Sequence, residues 1–168
     1  QTCALPISAK TVAELVALTR TPDSKISFGS PGIGNSIHLV TELFKSLTKT
    51  SMVHVPYRGA GQAITGLIAG DVQVMFLTPP SSIGYIDQGQ IRALAYTGAK
   101  RFARFPNVLT MAESGVPGME QMGSWTGLFV PARTPPAIVT RLHEHVAKAI
   151  ATPAVRDRLT QLGVTPVG

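Results

Sequence analysis

Ser30-Pro31-Gly32-Ile33-Gly34-Asn35-Ser36-Ile37-His38 is the stretch on which the reading of this chain turns. A short apolar run, Ile26-Ser27-Phe28, enters it. A helical pattern leaves it, with Ile37, Val40, Leu43, Phe44 and Leu47 on one face. A strand, a glycine-rich turn and a helix start together make an anion site. The first helical N–H groups have no internal partner, and the macrodipole adds partial positive charge there. No acidic residue stands in the first turn to take that place, since the first is Glu42. The turn is free to hold a carboxylate or phosphate from outside.

The same alternation extends in both directions. Upstream, Thr11 and Glu14 have capping-box spacing, followed by apolar Val12, Leu15, Val16 and Leu18 and a stop at Pro22. Downstream, Met52–Val55 is a strand candidate ended by Pro56. Gly59-Ala60-Gly61 leads into a helix bearing Ile64, Leu67 and Ile68, closed by Gly70. Val72–Leu77 reads as the strongest strand. Pro79–Ser82 opens a short helix around Ile83 and Ile86, and Ile91–Thr97 reads as another strand. A loop then runs to about Pro117, with one helical turn expected at Thr110–Ser114. Trp125–Val130 is the last clear strand pattern. Thr134-Pro135 and Thr152-Pro153 each place an N-cap before a helix, and Val164–Val167 is expected to begin a further strand. Strands alternating with helices call for an α/β fold with a mostly parallel sheet.

In such a sheet ligands sit outside the carboxyl ends of the strands. Three successive strand ends carry the same kind of loop: Ser30–Asn35, Tyr57-Arg58-Gly59-Ala60-Gly61 and Thr78-Pro79-Pro80-Ser81-Ser82. Between Ile26 and Gly70 the only acidic residue is Glu42, so the rim is expected to be electropositive and rich in small donors. The candidate ligand-binding residues are Ser30, Pro31, Gly32, Gly34, Asn35, Ser36, His38, Tyr57, Arg58, Gly59 and Thr78. Several have structural readings as well. A glycine turn can serve positive φ alone, Arg58 can be a solvated surface residue, Tyr57 a core aromatic, and His38 a capping or packing residue.

Composition narrows the function classes. The 168 residues are 44% hydrophobic and 14% charged, which fits one folded domain or a domain and a piece of another. No apolar run approaches the roughly 18 residues of a membrane span, so no membrane insertion is expected. The net charge of +6 comes from 15 basic residues against 9 acidic ones. The basic residues are scattered and aromatics make up only 6%, which argues against nucleic acid and suits an anionic small ligand. Residues 1–7, Gln1-Thr2-Cys3-Ala4-Leu5-Pro6-Ile7, read as a translated sequencing-library adapter and are expected to be a non-native leader. The alternative is a real N-terminal strand with Cys3 as a buried thiol.

The sequence resembles the Bug-type substrate-binding proteins of tripartite tricarboxylate transporters. The segments that carry the likeness are Gly29–Gly34 with His38-Leu39, His54–Gly59, Ala69–Phe76, Ile91–Ala95, Lys100-Arg101, Ala112–Gly115, and Ser124-Trp125 with Val130–Ala132. The likeness covers essentially Ser8 to Gly168 in order. The resemblance implies a two-lobed architecture like that of type II periplasmic binding proteins. Residues 8–122 would form the second lobe, and 123–168 a partial return to the first. It implies a periplasmic receptor that captures a small carboxylate and delivers it to the membrane components of a transporter, with no catalysis, cofactor or metal. It also implies that a glycine-rich loop from each lobe holds the ligand, that Ser30–His38 is the second lobe's loop, and that the other lies in an N-terminal part outside this sequence. The chain would likewise stop short of the family's C-terminal helix. Two positions depart from the family pattern. Leu77 stands where an acidic residue often follows the strand, which favours a carboxylate without an amino group, and Leu109 replaces a usual proline.

Two other functions stay open on the residues alone. Ser30 and His38 suggest a hydrolase, although no Gly-x-Ser-x-Gly elbow is present. His143-Glu144-His145 lacks zinc-helix spacing, His38 with Glu42 gives only two metal ligands, and Ile37 breaks the dinucleotide fingerprint. A small-molecule-sensing regulatory domain is the third reading.

Overall fold

The computed structural model describes residues 7–21, 24–122 and 126–167. Its centre is a β-α-β unit. Strand β1 (Ser27–Ser30) pairs in parallel with β2 (Val53–Pro56), and helix α2 (Ser36–Thr48) connects them. The register sets Phe28 beside His54 and Ser30 beside Pro56, so the turns after both strands leave from the same edge. Helix α1 (Val12–Thr19) precedes the unit, and α3 (Ala60–Ala69) and α4 (Pro79–Asp87) follow it.

The core forms where the apolar stripes of α1 and α2 meet β1. Ala9, Val12, Leu15, Phe28, Val40, Phe44, Met52, Met111, Val116 and Met119 are buried together. Phe28 and Phe44 are essentially inaccessible, and each is worth roughly 1.5–3 kcal/mol of burial. Leu18 and Leu47, at the margins of the predicted faces, are exposed. The helix ends follow local chemistry. Thr11 caps α1 by accepting from Glu14 N–H, while the Glu14 carboxylate accepts from Lys10 N–H, one residue before the cap. Asn35 caps α2 by accepting from Ile37 N–H at 3.0 Å. The expected turn at Thr110–Ser114 forms, with Ser114 N–H donating to Thr110 O.

Four strand expectations fail. Val72–Leu77 lies against β1 but forms a single parallel bridge with it, Phe28 to Val74, and Gln73 N–H and Val74 N–H both donate to Ser27 O. The Ser27 N–H donates to the Gln73 side chain at 3.0 Å, so the ladder is interrupted at its first rung. Ile91–Thr97 likewise reduces to one bridge, Tyr96 to Thr110, whose partner lies in the segment read as loop. Trp125 lies outside the described residues. Residues 126–130 carry no strand, and Leu128 and Phe129 are about four-fifths exposed. Residues 164–167 are likewise not a strand. Pro22 and all of the expected leader except Ile7 also lie outside the described residues, while Ile7 packs against the core.

The C-terminal helices α5 (Pro136–Ala151) and α6 (Pro153–Gln161) contain no buried residue. Helix α5 starts one residue later than expected, with Pro135 as its N-cap. Thr134 turns back instead, its N–H and hydroxyl both donating to Pro131 O. Thr152 caps α6 as expected in backbone terms, but its hydroxyl donates backwards to Ala149 O. Beyond α6, Gly163 returns to lie against Phe102 and Pro79.

Candidate functional site

The turn from Ser30 to Asn35 is held by its own backbone and by what lies beneath it. Gly32 and Gly34 take φ of 143° and 78°, values at which a side chain is strained. Asn35 N–H donates to Gly32 O and Tyr57 N–H donates to Ser30 O at 2.8 Å, which ties the second rim loop to the first. The first turn of α2 contains no acidic residue, as the sequence indicates. The N–H groups of Gly32, Gly34, Asn35 and Ile37 donate within the turn, and no acidic side chain in the first turn competes for the others.

Ser30 is fully buried. Its Oγ accepts from Gly32 N–H at 3.2 Å, lies 3.0 Å from Gly32 O and lies 2.6 Å from His54 Nε2. His38, in the first turn of α2, accepts from Gly34 N–H at Nδ1, 3.2 Å away, and its Nε2 faces Glu42 at 3.9 Å. The His38 and His54 rings stack with centroids 4.2 Å apart, and His54 stacks in turn on Phe28 at 4.7 Å. Burial, and then the neighbouring His38 ring, push His54 below the usual imidazole range. Lys45 lies over the Phe28 ring at 5.4 Å and pairs with Glu42 at 2.8 Å.

Sequence reasoning did not select His54 as a site residue. The signal that would have found it is register. A strand reading Val53-His54-Val55 in parallel with β1 sets the histidine beside Phe28 and under the start of α2. Apolar patterning points the other way, because Val53 takes the exposed face.

The remaining candidates divide. Pro31 is half-buried, and Ser36 and Arg58 are exposed on the rim. The side-chain oxygen of Asn35 is engaged in capping Ile37 N–H, so this residue offers the rim its amide nitrogen. The Tyr57 ring packs between Gly29 and Gly66, and burial raises its hydroxyl pKa with help from Asp71. That is the core-aromatic alternative, although its backbone stays at the rim. Gly59 precedes α3 in extended backbone. Thr78 precedes α4, and its hydroxyl pairs with Ser81 Oγ within its own turn. Two clefts, of about 440 and 300 Å³, are lined by residues of α1, α2 and the segments flanking them and not by the rim loops. The candidate site is an open rim with amide donors, not an enclosed cavity.

Residues 3–168 match the family described as "Tripartite tricarboxylate transporter family receptor". A UPF0065 protein from Pseudomonas sp. strain P51 is 39% identical over 94% of this chain and 47% of its own length. Protein BugT from Bordetella pertussis is 34% identical over 91% of this chain and 47% of its own. Among solved structures, a Rhodopseudomonas palustris protein with adipate superposes with a TM-score of 0.89 at 34% identity, covering 96% of this chain and 54% of that one. MatC from the same species, with bound malate, gives 0.85 at 30% identity, covering 94% and 53%. The chain spans about half the length of the curated relatives it matches.

Proposed function

Because this chain belongs to the tripartite tricarboxylate transporter receptor family, we propose that it captures a small carboxylate for a membrane transporter in the periplasm. The observation that carries the reading is the Ser30–Asn35 turn, a glycine-shaped helix start with no acidic residue in the first turn of α2. Similar proteins have been solved with adipate and with malate, so a dicarboxylate is the ligand class proposed here. Leu77, which offers no charge to an ammonium group, favours a ligand without an amino group. No helix among the described residues is long and apolar enough to cross a membrane, so in this proposal the transporter's membrane components are separate partners.

The Ser30–His54 contact has the outline of a nucleophile and base. A fully buried hydroxyl cannot reach a substrate carbonyl, however, and the family is one of receptors. Ligand is expected back unchanged.

One helix start contributes roughly 0.3–1 kcal/mol towards an anion, up to about 2 when partly buried. Micromolar affinity needs about 8 kcal/mol. The turn therefore acts as one jaw of a clamp in this proposal, with residues 8–122 as one lobe and 123–168 leading to another. Backbone amide NMR with malate, adipate and a neutral diamide tests it. The amides of residues 32–36 should shift with either dicarboxylate at millimolar concentration and not with the diamide. Tighter binding is expected from a version that carries a second lobe. Shifts confined to residues away from the rim would sink the assignment.

A further inference from the structure

Two imidazoles lie under the Ser30 turn, and each turns a ring nitrogen towards it. His38 Nδ1 accepts from Gly34 N–H, His54 Nε2 meets Ser30 Oγ, and the rings stack at 4.2 Å with Phe28 beside both, its centroid 4.7 Å from His54 and 6.2 Å from His38. We propose that His38 and His54 are positioning residues: as a neutral stacked pair they hold the turn in the shape that offers its amides to a carboxylate, and acid releases it. The proposal rests on the carboxylate-receptor reading above.

The chemistry follows from which atoms carry protons. An acceptor at Nδ1 needs a lone pair, so His38 carries its proton on Nε2, the nitrogen that faces Glu42 at 3.9 Å. Protonation places a second N–H on Nδ1, opposed to Gly34 N–H. The acceptor is lost, and two donors face each other at the point where the chain enters α2. Ser30 has one hydroxyl proton and two acceptors for it, Gly32 O and His54 Nε2. A protonated His54 can only donate, which commits the Ser30 proton to Gly32 O. Two imidazolium rings in a 4.2 Å stack also repel, so the pair resists double charging. The other charged groups that bear on the rings are Glu42 and Lys45, both from α2. From β1 the rings meet Phe28 and Ser30. Glu42 favours protonation, while burial, His38 and Lys45 oppose it at His54. With the folded His54 pKa below its ordinary value of 6.5, the contribution of neutral His54 is full above that pH and falls as acid is added.

Asn at position 38 and Gln at position 54 set non-titrating amide atoms where Nδ1 and Nε2 lie. NMR of the wild type, His38→Asn, His54→Gln and His38→Leu therefore separates brace from bulk. In the wild type, ring ¹⁵N shifts should show the Nε2–H tautomer at His38. The Gly32 amide should move with His54 titration below its ordinary value of 6.5, and the Gly34 amide should move when His38 Nδ1 takes up a proton. In His38→Asn the Gly34 amide should stay near its high-pH position, and His54 should titrate nearer its ordinary value. In His54→Gln the Gly32 amide should stop following pH, and His38→Leu should displace the turn at every pH. Malate and adipate affinity should fall in the wild type by about tenfold per pH unit below the titration, and by less in the Asn variant. An Nδ1–H tautomer at His38, or turn amides that ignore pH, would overturn the brace. Affinity that ignores pH while the amides titrate would overturn its positioning role. A turn that titrates as described but binds neither acid would overturn the receptor reading instead, because the tautomer and amide readouts need no ligand.

Discussion

Glu113 shows how much one side chain can organise in this molecule. Its carboxylate accepts from Arg101 Nε at 2.9 and 3.0 Å and from Thr110 N–H at 2.8 Å, while its own N–H donates to Thr110 Oγ1. The reciprocal Thr110–Glu113 bonds are a capping box on a single turn, and Arg101, which also donates to Pro106 O, ties that turn to the preceding loop. The Arg101 hydrogen bonds, followed by that from Thr110, hold the Glu113 pKa at about 2, down from 4.5. A depressed folded pKa means that the contribution to stability is complete above about 4.5 and is lost as pH falls towards 2. Urea denaturation from neutral pH down to about 2 should show a loss on that acid limb that Glu113→Gln lacks, and the variant should be less stable at neutral pH. Parallel curves at every pH would show that the pair is solvated and idle, as many surface pairs are. The sequence places Thr110 three residues before Glu113 and so predicts the turn. It is silent about Arg101, because nothing local says which residue a long guanidinium side chain will reach.

At the level of elements, α3 sits against β1 through a deliberate gap. Gly66 is buried in α3, and a Cβ there would fall 2.7 Å from Tyr57 Cζ and overlap the phenol oxygen. Gly66→Ala gains about 1 kcal/mol of helix propensity but overpacks the site at a cost of roughly 1–3 kcal/mol. The phenol oxygen is the nearest atom, so the loss should win. Chemical denaturation should show Gly66→Ala destabilised and Tyr57→Phe returning part of the loss; a more stable Gly66→Ala would mean that the ring moves freely. Helices were the readable elements, because the stripes of α1, α2 and α3 and their caps are written in local spacing. Strands were not, because a strand exists only if something pairs with it. Val72–Leu77 has the composition of a central strand but makes one bridge to β1, at Val74, while the Gln73 side chain takes the Ser27 N–H and Tyr96 finds a partner at Thr110 that no strand pattern marks.

The whole molecule is uneven in how well its surfaces are covered. Residues buried on α1, α2, β1 and the Met111–Met119 segment make one core, whereas α5 and α6 bury nothing and expose Ile138, Val139, Leu142 and Val155. In the proposed division at 122/123, limited proteolysis should cut first within 123–168, where Arg141, Lys148 and Arg156 are accessible. Mass spectrometry should find 8–122 intact at that stage; first cuts inside it would move the boundary. The sequence by itself determined the helix stripes of α1, α2 and α3, the caps at Thr11 and Asn35, the glycine turn at Ser30–Asn35 and the likeness that led to the family, since all are local patterns of residue type. Only the tertiary structure decided that Phe28, His54 and His38 stack beneath that turn and that Ser30 is buried against His54. Parallel register brings together residues far apart in the chain, and which ring lies under which amide is set by that register and by the packing of α2 on β1.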